Sequence, residues 1–369
     1  MLYLCLGSRE VCEVLCKVKL LHTADIHLRE DQDERWEALL KVIEVGKHNH
    51  IDVLAICGDL FDGGVDAESL RPQIREVFSS TGFKVLIIPG NHDRQVFKAS
   101  MYFGEDVLIL GDTPVEYGDV RVIGLPFEPI HGEQLLKRIR ELEAVLTPDK
   151  KNVLLCHGEL LDAFFSRTDF GPEGEGRYMP FKLSYFEQLE VGYVLAGHFH
   201  SKFDVWRLKN GGYFVYSGSP VSITKAETGQ RKVNLFEVGD PPGQVLLDTF
   251  HFHEVSLELD PFKDEDPIQL VQAYLKRLHP KAALILTVKG YVNSEQLKMT
   301  EPDIVARIKE TTTGKCAEES YEFKDISGIL ENDLFKSFTC EAEESGYTAA
   351  EDIKGLRDIT IRAMMRAGL

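Results

Sequence analysis

The 369-residue sequence has no apolar run that approaches the roughly 20 residues needed for a membrane-spanning helix. Its first 23 residues are interrupted by Arg9, Glu10, Glu13 and Lys17, which a secretory signal would not tolerate, so we expect a cytoplasmic protein with no membrane partner. Basic charge is also scarce, since 42 Lys and Arg stand against 60 Asp and Glu, for a net charge of −18. This balance disfavours a broad basic surface for nonspecific nucleic-acid binding, but not an enzyme that meets phosphates through metal ions.

Two further absences narrow the chemistry. The seven cysteines include no C-x-x-C pair, so we interpret them as reduced thiols rather than as a zinc site. No G-x-x-x-x-G-K-[ST] motif occurs, so an ATPase acting with this protein has to be a separate chain.

The length of the chain predicts two domains. We expect an N-terminal extension at 1–17, a first domain at 18–250 and a small α+β second domain at 255–369, with the turn-rich "GDPPGQ" at 239–244 as the break. Apolar strands alternate with helical patterns from residue 18 to about 200, and strands without helices follow. This order predicts an α/β sandwich of two mixed sheets with helices outside. The second domain shows one strong strand, at 283–292.

Metal-capable side chains follow five apolar strands of the first domain. They are Asp25 and His27 after 18–23, Asp59 and Asp62 after 51–57, Asn91, His92 and Asp93 after 84–90, His157 after 151–156, and His198 and His200 after 193–196. Any one of these alone is typical of a polar cap or a turn. Because ligands of open α/β sheets bind beyond the carboxyl ends of the strands, the five groups together predict one site.

The residue types favour divalent metal ions. Carboxylate, imidazole and amide donors form a mixed oxygen and nitrogen set without thiolate, which favours Mn²⁺, Fe²⁺ or a similar ion over a structural zinc. We expect two ions, with Mn²⁺ preferred and Fe²⁺, Mg²⁺ or Zn²⁺ as alternatives. Asp59 directly follows the central strand and is the candidate bridge between them.

The motif order D-x-H, G-D-x-x-D, G-N-H-D, H-G, G-H-x-H resembles that of the calcineurin-like metallophosphoesterases over residues 18–202. The resemblance implies a four-layer sandwich and two ligand sets: Asp25, His27, Asp59 and His200 for one ion, and Asp59, Asn91, His157 and His198 for the other. It further implies that His92 protonates the leaving oxygen and that Asp93 orients His92. Ions about 3.5–4 Å apart would activate water and hold the phosphate oxygens.

The residues in and around the motifs are similar to those of the SbcD-like DNA-repair nucleases in four segments: "HTADIHL", "GDLFD", "VLIIPGNHD" and "YSGSPVSITKAETGQRK". This resemblance covers about 18–240. It implies a DNA exonuclease or endonuclease with a C-terminal cap domain and an SMC-like coiled-coil ATPase partner. The chain departs from many such nucleases at Asp62, where they carry a histidine associated with exonuclease activity.

Three functions stay open on the sequence: a DNA nuclease, a phosphodiesterase or phosphatase for nucleotides and other small phosphoesters, and a metal-bound scaffold without catalysis. Candidate phosphate contacts are Arg94, which directly follows G-N-H-D, and Arg29, Arg167, Arg177 and Lys182; Asp62 is a further candidate substrate contact. The last helix could dock the ATPase through Ile359, Ile361, Met364 and Met365 or pack on its own domain. A homodimer could form through the helices at "RWEALLKVIEV" and "ESLRPQIREVF".

Overall fold

The computed structural model describes residues 17–97, 101–163, 178–263, 265–344 and 350–368. Most of the expected N-terminal extension, together with Arg167 and Arg177, lies outside these ranges. The chain forms two compact units, which divide between His251 and Phe252.

Two six-stranded mixed sheets form the first unit. The first sheet has the order β12-β11-β1-β2-β3-β4, with β1 Lys19–Thr23, β2 Val53–Cys57, β3 Lys84–Ile88, β4 Val107–Ile109, β11 Lys232–Glu237 and β12 Gln244–Leu246. The second has the order β5-β6-β7-β8-β10-β9, with β5 Val115–Tyr117, β6 Val120–Leu125, β7 Lys151–His157, β8 Tyr193–Gly197, β9 Asp204–Arg207 and β10 Tyr213–Tyr216. Strands β1 to β4 run parallel, as do β6, β7, β8 and β10, so their carboxyl ends share an edge within each sheet.

The helices of this unit are α1 Glu34–His48, α2 Ala67–Phe78, α3 Gly132–Glu141 and α4 Leu183–Phe186, with a 3₁₀ turn at Leu142–Ala144. Asp33 and Asp66 cap α1 and α2, because each side chain accepts a hydrogen bond from an amide of the first turn. Pro72 lies inside α2.

Alternation along the strands divides the core into three layers of side chains. In β2, Val53, Ala55 and Cys57 pack between the two sheets. Leu54 and Ile56 point the other way, into a cluster with residues of α1 and α2. The outer face of the second sheet packs in the same way against α3. The prediction of two mixed sheets flanked by helices is thus confirmed. The sequence could predict it because a strand buried on both faces needs apolar residues at every position.

The second unit contains a three-stranded sheet of order β13-β14-β15, with β13 His251–Leu259, β14 Ala282–Val292 and β15 Cys316–Asp325. Its helices are α5 Pro267–Leu275, α6 Ser294–Leu297, α7 Glu301–Thr312, α8 Ser327–Glu331, α9 Asp333–Glu344 and α10 Ala350–Arg366. The sequence indicated only β14. Strand β15 carries mostly polar residues, and Phe323 is its one buried side chain. The apolar alternation that would identify a strand is therefore weak.

Helix α10 packs within its own unit. Ile361 and Met364 are buried in a cluster with Phe335, whereas Ile359 and Met365 are exposed. Two of the four residues considered for ATPase docking are therefore part of the core. None of the described helices is long and apolar enough to cross a membrane.

A histidine is buried between the two sheets. His22 lies on β1 and, at a spacing of two residues, points to the same side as Leu20 and Ala24, which belong to the apolar layer between the sheets. Burial lowers the pKa of His22 from 6.5 to about 3, against a smaller opposing effect of the Ala196 backbone. Between these two values the unfolded chain binds a proton that the folded chain excludes. The contribution of His22 to stability therefore rises with pH up to about 6.5 and falls on acidification.

We expect His22→Leu to flatten this part of the stability profile. From pH 6.5 to 4.5 the free energy of unfolding should fall by about 2–3 kcal/mol more in the wild type than in the variant, since one pKa unit corresponds to about 1.4 kcal/mol. Urea unfolding at each pH measures the difference. His48→Leu, at an exposed histidine of α1, is the control and should keep the wild-type profile. Equal slopes for wild type and His22→Leu would show that His22 does not carry the effect.

Candidate metal centre

The loops that follow β1 and β2 are tied together by backbone hydrogen bonds. The amide of Asp25 donates to the carbonyl of Gly58, and the amides of Ile26 and His27 both donate to the carbonyl of Asp59. Asp25, His27, Asp59 and His198 all have positive φ, between 51° and 96°. A non-glycine residue is strained in this region, and such strain concentrates at functional sites where the surrounding structure holds it in place. The backbone thus presents these four side chains at the ends of the strands.

One group of donor atoms comes from the first, second and last of the predicted motifs. Ligand atoms of Asp25, His27 and His200 all lie within 4.8 Å of one another. The Nε2 atoms of His27 and His200 are 3.3 Å apart, and His200 Nε2 lies 4.0 Å from an oxygen of Asp25. Asp59 Oδ2 lies 3.9 Å from His27 Nε2. These are the four residues that the resemblance assigns to one ion.

A second group adjoins the first and shares Asp59. His157 Nε2 lies 3.3 Å from Asp59 Oδ2 and 2.8 Å from Asn91 Oδ1. His198 Nδ1 lies 3.2 Å from the same Asn91 oxygen. The structure therefore brings together all seven predicted ligands, with Asp59 Oδ2 facing both groups. His198 and His200 leave one strand end but belong to different groups, because alternate residues of an extended chain point in opposite directions.

The donor set suits two divalent cations. Asp59 Oδ2 is completely buried, yet it accepts no hydrogen bond from a described residue. A buried carboxylate oxygen in this state needs a positive partner. It is surrounded by imidazole nitrogens, an amide oxygen and the second carboxylate of Asp25, the donors that ions of the Mn²⁺, Fe²⁺ or Zn²⁺ type accept in proteins. The residues present therefore fit two ions that share Asp59.

The electrostatics of the protein alone indicate the same need for positive charge. Burial opposes protonation of His157, but the neighbouring charges of Asp59 and Asp25 raise its pKa to about 10. Burial likewise opposes protonation of His200, whose contact with Glu227 and the charge of Asp25 raise its pKa to about 9. Burial alone would raise the pKa of Asp59, but His157 and His27 hold it well below its ordinary value. Binding of metal ions would displace the imidazole protons, since these ligands bind as neutral bases.

Two glycines leave space that the centre needs. A Cβ on Gly58 would lie 2.0 Å from Nδ1 of His157, and one on Gly90 would lie 2.1 Å from an oxygen of Asp59. Gly58 also has a φ of +89°, which disfavours every other residue. Gly58 and Gly90 are therefore required, because the side chains of His157 and Asp59 pack directly on their backbones.

His92, the predicted proton donor, lies at the edge of the cluster. Its ring is 4.8 Å from that of His27, and its Nδ1 is 3.7 Å from an oxygen of Asp62. Its amide donates to Asp59 Oδ1. His92 and the ligand Asn91 are partly exposed, whereas the other six ligands are buried, so a substrate can reach His92.

The two remaining predicted carboxylates, Asp93 and Asp62, contact other parts of the site. The Asp93 carboxylate makes no hydrogen bond or ion pair with the His92 ring. Its side chain accepts hydrogen bonds from the amides of Gly90 and Phe61, and burial beside Asp59 raises its pKa to about 7. Asp93 therefore holds the backbone of the turn that carries His92. Asp62, predicted to contact substrate, lies 3.4 Å from Nδ1 of His27 and 2.6 Å from Nε of Arg29, where it fixes a ligand.

Sequence reasoning missed two buried residues behind His200. Glu227 Oε1 lies 3.3 Å from His200 Nδ1, and its carboxylate also accepts hydrogen bonds from the amides of Ile223 and Thr224. The buried guanidinium of Arg231 donates to the carbonyls of Ser219 and His200. Neither residue belongs to a strand-end motif. The available signal was the segment "YSGSPVSITKAETGQRK", which contains both.

The candidate phosphate contacts occupy different settings. Arg94 is exposed and makes no hydrogen bond or ion pair with the part of the chain that the structure describes. Arg29 pairs with Asp62. Lys182 is exposed at the start of α4. Of these three, Arg94 lies next to the G-N-H-D turn with its charge uncompensated.

The family profile of the calcineurin-like phosphoesterases matches residues 18–202, half of the chain and all five motifs. The chain belongs to the calcineurin-like phosphoesterase family. Together with the two ligand groups, this membership makes it a metal-dependent phosphoesterase whose site fits two divalent ions. No curated protein matches the chain in sequence.

Solved structures similar to this calcineurin-like phosphoesterase include TT1561 of Thermus thermophilus, at 15% identity and a TM-score of 0.43, covering 63% of this chain and 99% of the other. A dimetal phosphatase from Danio rerio shows 11% identity and a TM-score of 0.44, covering 62% and 96%. A 5'-nucleotidase precursor from Thermus thermophilus shows 16% identity and a TM-score of 0.38, covering 63% and 55%. Likenesses of this degree do not indicate which phosphoester this chain cleaves.

We expect Glu227→Gln to weaken one of two metal-binding steps. The carboxylate holds the His200 ring so that Nδ1 can carry the proton and Nε2 stays free for a metal ion. The side-chain NH2 of the glutamine would place a hydrogen-bond donor against the backbone amides of Ile223 and Thr224 or against the imidazole ring of His200. Affinity for Mn²⁺ in that step should fall about tenfold, at the lower end of the range for such outer contacts.

Calorimetric titration of the metal-free protein with Mn²⁺ measures both steps. Glu187→Gln, which removes a surface pair with Lys209, is the matched control and should bind as the wild type does. Two unchanged steps in Glu227→Gln would show that Glu227 has no role in holding the ligand.

Proposed function

We propose that this protein is the nuclease subunit of a DNA double-strand-break repair complex and hydrolyses DNA phosphodiester bonds with two divalent ions. The observation that carries the proposal is the position of the segment at residues 216–232. It is one of the four segments that resemble the SbcD-like nucleases, and it supplies Glu227 and Arg231 behind the ligand His200. The resemblance thus extends to residues that support the metal centre.

The residues divide the work of hydrolysis between them. Asp25, His27, Asp59 and His200 would hold one ion, and Asp59, Asn91, His157 and His198 the other; we propose Mn²⁺ as the preferred ion on the donor set. Bound ions would supply Lewis-acid activation and neutralise charge on the phosphate. His92 is placed to give a proton to the leaving oxygen, and the turn held by Asp93 fixes its backbone.

A second candidate is hydrolysis of nucleotides or other small phosphoesters. The net charge of −18 weakens long-range attraction of DNA. Asp62, the residue at the position of the nuclease histidine, places a carboxylate beside His92, where it repels additional phosphates. A scaffold without catalysis is disfavoured because the ligands and His92 are all present and assembled.

We propose an SMC-like coiled-coil ATPase as the partner, on the resemblance alone. Exposed Ile359 and Met365 are the residues of α10 that remain available for such a contact. A homodimer through α1 and α2 and a cytoplasmic, DNA-associated location are further proposals.

We expect Mn²⁺-dependent cleavage of labelled single- or double-stranded DNA that drops by a factor of about 10²–10⁴ in His92→Ala, the usual contribution of a positioned acid. The assay compares both DNAs with bis(4-nitrophenyl) phosphate for wild type and variant. His131→Ala, at an exposed histidine before α3, is the control. Turnover of the small ester without cleavage of DNA would overturn the nuclease proposal in favour of the second candidate.

A further inference from the structure

A groove of about 470 Å³ opens beside His92 and Asn91. It lies between the first turn of α2 and the chain that follows the G-N-H-D motif. Its volume is within the range of sites that bind small molecules. Among the metal ligands only Asn91 lines it, so the groove leads away from the metal centre on the side of His92.

The lining of the groove is largely polar, but one part of it is apolar and contains Val65, Val96, Met101 and Phe127. The ring of Phe127 also packs edge-on against the ring of the ligand His157, with centroids 6.3 Å apart. The wall is therefore continuous from the metal centre into the groove. An aromatic side chain and a methionine thioether favour contact with a flat, unsaturated ring.

One cation of the groove is available to a ligand. Arg94 lines the groove and has no ion pair or hydrogen bond with any described residue. Neither carboxylate of the lining pairs with Arg94: Asp66 accepts a hydrogen bond from the amide of Glu68 as the cap of α2, and Glu68 lies 3.3 Å from Arg71. A guanidinium in this state suits a phosphate, which it can bind through two parallel hydrogen bonds.

We propose that this groove binds the leaving half of the cleaved phosphodiester, a nucleoside whose next phosphate is held by Arg94. This inference rests on the proposed function and specifies its substrate: the alcohol that departs beside His92 is a nucleoside within a chain. The base packs on the apolar part of the groove, and the phosphate beyond it pairs with Arg94. The groove thus selects for nucleic acid over esters of small alcohols.

The experiment compares three dinucleotides: thymidylyl-thymidine without a terminal phosphate, with a 5'-phosphate and with a 3'-phosphate. Wild type, Arg94→Ala and Arg140→Ala are assayed with Mn²⁺; Arg140 is an exposed arginine of α3 and serves as the control. In wild type and Arg140→Ala, one of the two terminal phosphates should lower KM about tenfold, as expected for a charged hydrogen-bonded pair. In Arg94→Ala this gain should vanish, so that the KM values of the three dinucleotides agree within about twofold, because the outer phosphate has lost its partner.

The same gain in Arg94→Ala, or no gain from either phosphate in the wild type, would overturn the assignment of Arg94. A second measurement tests the apolar part of the groove with thymidine, which has no phosphate to bind the metal ions. Thymidine should inhibit hydrolysis of bis(4-nitrophenyl) phosphate by the wild type. It should inhibit Gln95→Trp about tenfold more weakly, because the indole would occupy the groove at an exposed lining position.

The two measurements separate this inference from the proposed function. If no dinucleotide and no DNA is cleaved but thymidine competes in the expected way, the groove binds nucleosides and the nuclease proposal is wrong. If DNA is cleaved but thymidine does not compete with the small ester, the nuclease proposal stands and the groove proposal is wrong.

Discussion

The centre depends on one electrostatic constraint, the burial of two carboxylates at the meeting edge of two sheets. Asp25 and Asp59 are 0% and 1% exposed, so water cannot stabilise the charge of either carboxylate. Each is held by backbone amides on one side: Asp25 accepts from the amide of His198, and Asp59 from that of His92. On the other side they face imidazoles. Charges buried in this way are stable only when paired, so the site needs positive charge, and its donor set fits metal ions that would supply it.

The backbone conformation of the site follows from this constraint. The carboxylates and imidazoles must converge from separate strands, and the short loops after β1, β2 and β8 achieve this with residues at positive φ. Hydrogen bonds from one loop to the next, such as Ile26 to Asp59, hold these conformations. Strain is thereby concentrated at the ligands, and the continuous apolar strands behind them, buried on both faces, provide the stability that tolerates it.

Outer contacts then decide which nitrogen of each ring faces the centre. His157 Nδ1 lies 2.9 Å from the carbonyl of Cys57, His200 Nδ1 lies next to Glu227, and His27 Nδ1 lies next to Asp62. In all three rings Nε2 faces the ligand groups. His198 is oriented the other way and presents Nδ1 to Asn91. These contacts connect the metal centre to the loop at 219–231 and to the loop before α2, so both loops belong functionally to the site.

The sequence by itself determined the two mixed sheets and the convergence of the five strand-end groups, because apolar strands punctuated by glycine and metal-capable residues are local patterns; the choice of seven ligands among them came from the family resemblance. It did not reveal β13 and β15, whose alternating polar residues resemble those of surface loops. Nor did it reveal Glu227 behind His200, which is 27 positions away and carries no spacing signal. The contacts of Asp93 with Gly90 and Phe61, and of Asp62 with His27, were likewise decided by the tertiary structure. The partner of a side chain depends on which other groups lie within about 3 Å of it, and only the packing of the loops fixes that distance.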